Sequence, residues 1–221
     1  ETLEIHVKTS SVKVGVLRGP NLAREIADEK VAGTVIASKH ADLCNLGREI
    51  LSSGTFKIYT SNDIQGIELA GALKNIYAII SGYCHALDVG ENAIGLILTR
   101  SMAEMTAFAV NKGANPITFL GLAGVGDLVA TCFSKLSRNY QFGWAIGEGL
   151  DIEAAKNRVG QVAEGLKTIK IINGEISGSK IKMPLVSGMH EILFNNGSKE
   201  LLLEQIINSD IYVDVNFDVE S

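Results

Sequence analysis

Apolar positions recur with two different spacings along the chain, and the spacing changes near residue 62. Before that point, short runs rich in β-branched residues alternate with helical runs. The expected strands are 13–19, 33–38 and 56–61. The expected helices between them are 21–30, with Asn21 as its N-cap, and 41–54. Such alternation predicts a parallel sheet with crossover helices.

After residue 62 the apolar spacing is helical, and the chain shows no internal repeat. The expected helices are 63–87, 92–110, one that begins near Asp127, 151–157, 161–174, 184–194 and 198–208. The alternating tail 209–221 is compatible with a short strand or with irregular structure. The fold class is therefore an α/β remnant of a Rossmann-like domain with late parallel strands (1–61), followed by a mainly α-helical substrate and catalytic domain (62–221).

Composition and charge narrow the classes of function. The net charge of -5 argues against a broad nucleic-acid surface, whereas local arginines still allow a small anion to bind. Cys44, Cys84 and Cys132 are widely spaced in apolar sequence, which favours reduced core residues in a cytoplasmic protein and no metal site. No uninterrupted apolar run approaches the roughly 20 residues that span a bilayer, so no membrane insertion is expected.

A glycine-rich turn at 121–126 precedes a set of polar residues at helical spacing. Asp127, Thr131, Ser134 and Arg138 would share one face of a helix if that helix continues to residue 138. This face suits a phosphate or a polyol, because the planar guanidinium of arginine meets two phosphate oxygens at once. The alternatives are a turn that merely connects helices and a half-exposed amphipathic helix.

Lys74 has unusual neighbours on its predicted helix. The residues one turn away are Ala70, Gly71, Tyr77 and Ala78, and none of them is acidic. Desolvation lowers the pKa of a lysine from about 10.4, and catalytic lysines operate at roughly 7–8. Lys74 is thus a candidate acid/base residue, and the alternative is a lysine that extends from a packed helix to solvent.

Several longer strings resemble NAD(P)-dependent glycerol-3-phosphate dehydrogenase of the bacterial type. They are VLRGPNLAREIA (16–27), FKIYTSNDIQGIELAGALKN (56–75), LTRSMAEM (98–105), GLAGVGDLVATCFSKLSRNYQFG (121–143) and VAEGLKT (162–168). The resemblance covers nearly the whole chain up to about residue 197. The lysine of ALKN and the SRN string are its most specific features.

The resemblance implies roles that the pattern does not assign. Lys74 would be the acid/base residue, and Arg138 would contact both the substrate phosphate and the nucleotide. The substrate-binding positions would be Gly19, Asn21, Lys74, Asp127, Thr131, Ser137, Arg138 and Asn139. The cofactor-binding positions would be Ala23, Arg138, Val162 and Glu164. The cofactor would be NAD or NADP, and the partner a second copy of the chain in a homodimer.

Two departures from the family pattern bear on these roles. Asn21 replaces the usual Ser or Thr and Leu22 the usual Phe, which alters one substrate contact. The glycine-rich dinucleotide loop and an early substrate-binding lysine of the family do not occur in the chain, so the 221 residues alone are expected to be inactive.

Three hypotheses follow. The first is interconversion of glycerol 3-phosphate and dihydroxyacetone phosphate by hydride transfer at C2, which supplies glycerol 3-phosphate for phospholipid synthesis. The second is a non-catalytic helical fragment or dimerisation scaffold. The third is a related hydroxyacid dehydrogenase, which the SRN string disfavours.

Overall fold

The computed structural model describes residues 12–160 and 163–208. The strands are β1 Val16–Arg18, β2 Ala32–Ala37 and β3 Phe56–Ser61. The first helices are α1 Ala23–Ala27, α2 Ala41–Leu51, α3 Ile64–Ala86, α4 Glu91–Asn111 and α5 Asp127–Cys132. The later helices are α6 Arg138–Gly147, α7 Ile152–Val159, α8 Glu164–Ile176, α9 Pro184–Phe194 and α10 Leu201–Ile207. A 3₁₀ segment (Pro116–Leu120) and a π-helical segment (Leu122–Gly126) connect α4 to α5.

The three strands form one sheet in the order β1-β2-β3. Strands β2 and β3 are parallel, as the alternation predicts, whereas β1 is antiparallel to β2, with Val16 opposite Ala37. The expectation of a parallel strand was therefore wrong for β1. Helix α1 has five residues and spans only about 7.5 Å at 1.5 Å per residue. It has no buried residue, so it does not cover a face of the sheet as the helix of a parallel crossover does.

The two faces of the sheet pack against different segments of the chain. On one face Val35 and Ala37 of β2 lie against Ile67 of α3 and Ala123 of the π-helical segment. On the other face Ile36 and Ile58 pack against Cys44 of α2. The sheet is thus held directly on the N-terminal half of α3.

Helix α3 runs through the centre of the main core and is buried along most of its length. Asp63 caps its first turn, where Oδ1 accepts a hydrogen bond from the amide of Gly66 at 2.9 Å. Glycines let α6 approach α3 closely: a Cβ at Gly143 would overlap the carbonyl oxygen of Ile79. This close crossing fixes α6 relative to α3, and both helices carry residues predicted to bind substrate.

Helix α4 is long and apolar enough, by length and composition alone, to cross a membrane. The sequence has no uninterrupted apolar run of that length, because polar residues interrupt the helix. One of these, Glu104, is buried; its Oε2 accepts from the hydroxyl of Tyr77 at 3.0 Å and its Oε1 from the amide of Leu185 at 2.7 Å. The carboxyl group therefore joins α4 to α3 and α9 inside the core.

The three cysteines are buried free thiols, as the sequence analysis expects. Among residues 12–160 and 163–208, no group of three or more histidine, cysteine or carboxylate side chains could hold a metal ion. The proposed division of the chain at residues 61 and 62 stays a prediction.

Candidate functional site

A cavity of about 710 Å³ opens between the turn after β1, the middle of α3, helix α5 and the start of α6. Its volume lies within the range of small-molecule sites. Four cationic side chains and two carboxylates line it: Arg18, Arg24, Lys74, Arg138, Asp127 and Glu164. A cavity with an excess of positive charge in a chain of net charge -5 favours an anionic ligand.

Every predicted site residue within 12–160 and 163–208 lines this one cavity. These residues are Gly19, Asn21, Ala23, Lys74, Asp127, Thr131, Ser137, Arg138, Asn139 and Glu164. Val162, a predicted cofactor contact, lies outside the described residues. The structure thus brings together positions that are separated by up to 145 residues in the sequence, from Gly19 to Glu164.

Lys74 and Asp127 form the central pair of the cavity. The Nζ of Lys74 donates to the Oδ1 of Asp127 at 2.5 Å, and the two side chains are 20% and 2% exposed. The lysine thus has an acidic partner that its own helix does not supply. Because the Lys74 side chain is partly exposed and lines the cavity, a ligand there can contact it.

Asp127 is held by its own helix and lacks one partner. The hydroxyl of Thr131 donates to the main-chain oxygen of Asp127 at 2.6 Å and lies 3.3 Å from its Oδ1. The Oδ2 of Asp127 is buried without a hydrogen-bond partner in the described part of the chain. Burial raises the pKa of Asp127 above its ordinary value, while Lys74, Thr131 and Arg18 act in the opposite sense. A donor supplied by a ligand would satisfy Oδ2.

The polar residues from 127 to 138 do not share one helix, because the helix that begins at Asp127 does not continue to residue 138. Helix α5 ends at Cys132, and Ser134 lies in the following turn, where its Oγ accepts from the amide of Leu136 at 3.1 Å. Ser137 then caps α6 by accepting from the amide of Tyr140 at 3.3 Å. This cap places the exposed side chain of Arg138 at the first position of α6, beside the cavity.

A chain of amide groups forms one wall of the site. Asn139 donates from Nδ2 to Oδ1 of Asn75 at 3.0 Å and accepts at Oδ1 from the amide of Gly165 at 3.0 Å. Asn75 in turn donates to Oε2 of Glu164 at 3.4 Å. The residue after Lys74 is thus tied to α6 and to the start of α8. Asn139 is 9% exposed and acts here as an internal connector.

Asn21 has a different role from the expected helix cap. Leu22 occupies the N-cap position of α1, and the Nδ2 of Asn21 instead donates to the Oγ1 of Thr34 at 2.9 Å. The Thr34 hydroxyl gives its only proton to the main-chain oxygen of Arg18 at 2.9 Å, so it can only accept from Asn21. The buried Oδ1 of Asn21 is consequently left without a partner among the described residues.

Gly19 makes the turn that brings Asn21 to the cavity. Its φ of +148° is a conformation that residues with a side chain rarely adopt, and a Cβ there would lie 3.1 Å from the Cα of Thr34. The amide of Asn21 donates to the Gly19 carbonyl at 2.7 Å, which closes the turn.

Sequence reasoning missed two cations of the site, Arg18 and Arg24. Arg18 and Val16 point to the same face of β1, because side chains alternate along a strand. Val16 packs on the cluster that joins the sheet to α3, so Arg18 continues along that face toward the cavity. The position of Arg18 directly before Gly19, a predicted substrate contact, was the signal in the sequence that could have identified it.

Comparison with known proteins places these features in a family. Residues 63–204 match the family described as the NAD-dependent glycerol-3-phosphate dehydrogenase C-terminus, and residues 1–44 match the family described as its N-terminus. A Pseudomonas putida (strain KT2440) protein named glycerol-3-phosphate dehydrogenase [NAD(P)+] is 51% identical over 205 residues. That match covers 93% of the chain and 60% of the relative, so the chain spans about three-fifths of the length of such curated relatives.

Solved structures of glycerol-3-phosphate dehydrogenases also resemble the chain in fold. The crystal structure of glycerol-3-phosphate dehydrogenase from Coxiella burnetii superposes with a TM-score of 0.85 at 34% identity, covering 90% of the chain and 61% of the other protein. The glycerol-3-phosphate dehydrogenase of Saccharomyces cerevisiae superposes with a TM-score of 0.79 at 28% identity, covering 88% and 60%. The three-stranded sheet therefore corresponds to part of a Rossmann-like domain, and the helical part to the helical domain that follows it.

Proposed function

Because the chain belongs to the NAD-dependent glycerol-3-phosphate dehydrogenase family, we propose that the complete protein interconverts glycerol 3-phosphate and dihydroxyacetone phosphate. The observation that carries the proposal is the Lys74–Asp127 pair inside a cavity with excess positive charge. The Lys74–Asp127 pair can transfer a proton, and the remaining cationic side chains of the cavity can bind a phosphate group. A non-catalytic scaffold would need neither.

Lys74 is the proton donor and acceptor in this proposal. During reduction, the C2 oxygen of dihydroxyacetone phosphate becomes negatively charged as C2 gains a hydride. The Lys74 ammonium then gives a proton to that oxygen, and in the reverse direction the neutral amine removes it. A positioned acid/base group of this kind contributes about 10²–10⁴-fold to the rate.

Asp127 positions the lysine and has a second oxygen for the substrate. Its Oδ1 holds the Nζ of Lys74 at 2.5 Å, which fixes the direction from which the proton moves. Its unpartnered Oδ2 can accept a hydrogen bond from a substrate hydroxyl group. Arg138, exposed at the start of α6, is suited to the phosphate because its guanidinium binds two oxygens together.

The residues beside the pair fit a dinucleotide. Ala23 presents only a methyl group to the cavity, and Glu164 and Arg138 both line it. NAD or NADP, when bound, would supply or accept the hydride at C2. Glu164 also holds Asn75 through its Oε2, so a contact with the cofactor at Glu164 would be transmitted to the residue next to Lys74.

The wider role is also part of the proposal. We place the protein in the cytoplasm as a homodimer that supplies glycerol 3-phosphate for phospholipid synthesis and binds neither nucleic acid nor membrane. The buried free thiols support the cytoplasmic location. The net charge of -5 supports the absence of nucleic-acid binding. In α4, the buried carboxyl of Glu104 supports packing of that helix in a protein core.

Turnover of matched substrates tests the proposal. The complete protein is mixed with NADH or NADPH and with dihydroxyacetone phosphate, dihydroxyacetone or a three-carbon 2-keto acid, and nucleotide oxidation is followed by absorbance. We expect oxidation with dihydroxyacetone phosphate and at least a roughly hundredfold lower kcat/KM with the unphosphorylated compounds. A preference for the keto acid would identify a hydroxyacid dehydrogenase, and no turnover with any of them would support the scaffold.

A further inference from the structure

Arg18 is a cation of the cavity to which the family resemblance assigns no role. It is the last residue of β1, and its main chain is held by the hydroxyl of Thr34, which is fully buried. The side chain is exposed, lines the cavity, and has no ion pair with any residue in 12–160 or 163–208. A fixed backbone therefore presents an unneutralised guanidinium to the ligand space.

The stem of Arg18 lies over Gly71 of α3, one helical turn before Lys74. A Cβ built on Gly71 would lie 3.0 Å from the Cδ and 3.1 Å from the Nε of Arg18, so the stem lies directly over that glycine. Gly71 and Lys74 are three residues apart and share one side of α3. The guanidinium thus lies on the side of the cavity where proton transfer is proposed, and its positive charge opposes the rise in the pKa of Asp127.

The charges of the cavity leave Arg18 available for an anion. Lys74 is already paired with Asp127, and Glu164 accepts from Asn75. A phosphate monoester carries close to two negative charges at neutral pH, and one guanidinium neutralises only one of them. A second guanidinium in the same cavity would complete the neutralisation of the ligand.

We infer that Arg18 is a second phosphate-binding residue, which acts with Arg138 on the phosphate group of the substrate. This inference rests on the proposed function and adds to it a residue that selects a doubly charged ligand. The same chemistry could hold a phosphate of the nucleotide, and the test below separates the two sources. A purely structural role, in which the stem covers Gly71, is separated as well.

The test compares Arg18→Met with Arg48→Met in the complete protein. Methionine keeps an unbranched stem over Gly71 and removes the charge. Arg48 lies exposed on α2, outside the cavity, and its loss changes the net charge equally. Affinities for glycerol 3-phosphate, inorganic phosphate, NADH and NADPH are measured by calorimetry, and the melting temperature of each variant is recorded.

We expect Arg18→Met to weaken glycerol 3-phosphate binding by about 10- to 100-fold, the loss that accompanies removal of a charge-assisted hydrogen bond. Nucleotide affinity should change less than twofold, Arg48→Met should resemble wild type, and Arg18→Lys should recover part of the loss. Unchanged affinity, a loss confined to nucleotides, or a lower melting temperature with normal affinity would each overturn the assignment to the substrate phosphate.

The outcome also distinguishes this inference from the proposed function. One outcome is that wild type binds inorganic phosphate but not glycerol 3-phosphate, and that Arg18→Met weakens phosphate binding. This outcome would support the phosphate-binding role of Arg18 and contradict the proposed substrate. The other outcome is that wild type and Arg18→Met bind glycerol 3-phosphate equally well. This outcome would support the proposed substrate and contradict the phosphate-binding role of Arg18.

Discussion

Asp127 begins α5 and reaches across the cavity to Lys74, 53 residues earlier in the chain, at 2.5 Å. Asp127→Asn keeps the shape of the side chain and removes the charge that holds the amine. We expect kcat for dihydroxyacetone phosphate reduction to fall by about 10- to 100-fold, because a hydrogen bond to a charged group contributes about 1.5–3 kcal/mol. Steady-state kinetics of the complete protein measure this.

Thr131→Val provides the matched control for that variant. It removes a hydroxyl whose shorter bond, 2.6 Å, goes to the main chain of Asp127 and whose distance to Oδ1 is 3.3 Å. The carboxylate stays in place, so kcat should fall only about two- to tenfold, as for loss of a neutral hydrogen bond. An Asp127→Asn enzyme within twofold of wild type would remove Asp127 from the positioning role.

The crossing of α3 and α6 gives a prediction about stability. A Cβ at Gly143 would overlap the Ile79 carbonyl, so Gly143→Ala must push the two helices apart. We expect it to lower the free energy of unfolding by about 1–3 kcal/mol or more. Urea denaturation measures the change.

Gly95→Ala is the control for this substitution. Gly95 also lies inside a helix, α4, but a Cβ there has no atom within 4 Å. Alanine should therefore stabilise the protein by about 0.4–1 kcal/mol, because it restricts the unfolded chain. Equal effects of the two substitutions would show that α3 and α6 do not depend on the glycine for their approach.

The buried carboxyl of Glu104 predicts a dependence of stability on pH. Desolvation raises its pKa to about 8, against the hydrogen bonds from Leu185 and Tyr77 and the charge of Arg100, which act in the opposite sense. In the unfolded chain the same carboxyl loses its proton near 4.5, the ordinary pKa of a glutamate side chain. Between these pH values the folded protein holds more protons, so stability falls as pH rises.

The slope from this single group should approach about 1.4 kcal/mol per pH unit inside that window. Glu104→Gln cannot titrate and keeps an acceptor for the Leu185 amide, so the fall in stability should become shallower by that amount. Urea unfolding from about pH 5 to pH 9 measures both slopes. Identical slopes for wild type and Glu104→Gln would contradict a raised pKa at this position.

Much of the helical part could be predicted because its signals are local. The apolar spacing gave α3 and α9 within one residue of their observed bounds, 64–86 and 184–194. Strand β3 was predicted with its observed bounds, 56–61. In these elements the apolar residues recur with a regular spacing, which indicates the type of each element and its extent.

What the sequence could not supply depends on contacts between distant segments. The alternation of strands and helices does not reveal the direction of β1, because α1 has five residues, none of them buried, and does not form a crossover on the sheet. The end of α5 at Cys132 divides a polar set whose spacing alone suggested one helix. The partner of Lys74 lies on another helix, so the neighbours of Lys74 on α3 gave no sign of it, and only the family resemblance implied that Asp127 would hydrogen-bond Lys74 or the substrate.

The central claim is that Lys74 transfers the proton, and the kinetics of Lys74→Met in the complete protein test it most directly. Methionine has a similar volume and no amine, so substrate binding through the arginines should persist. We predict that kcat falls by about 10²–10⁴-fold while KM changes less than tenfold. A Lys74→Met enzyme with near-normal kcat, or one in which only KM rises, would contradict the account.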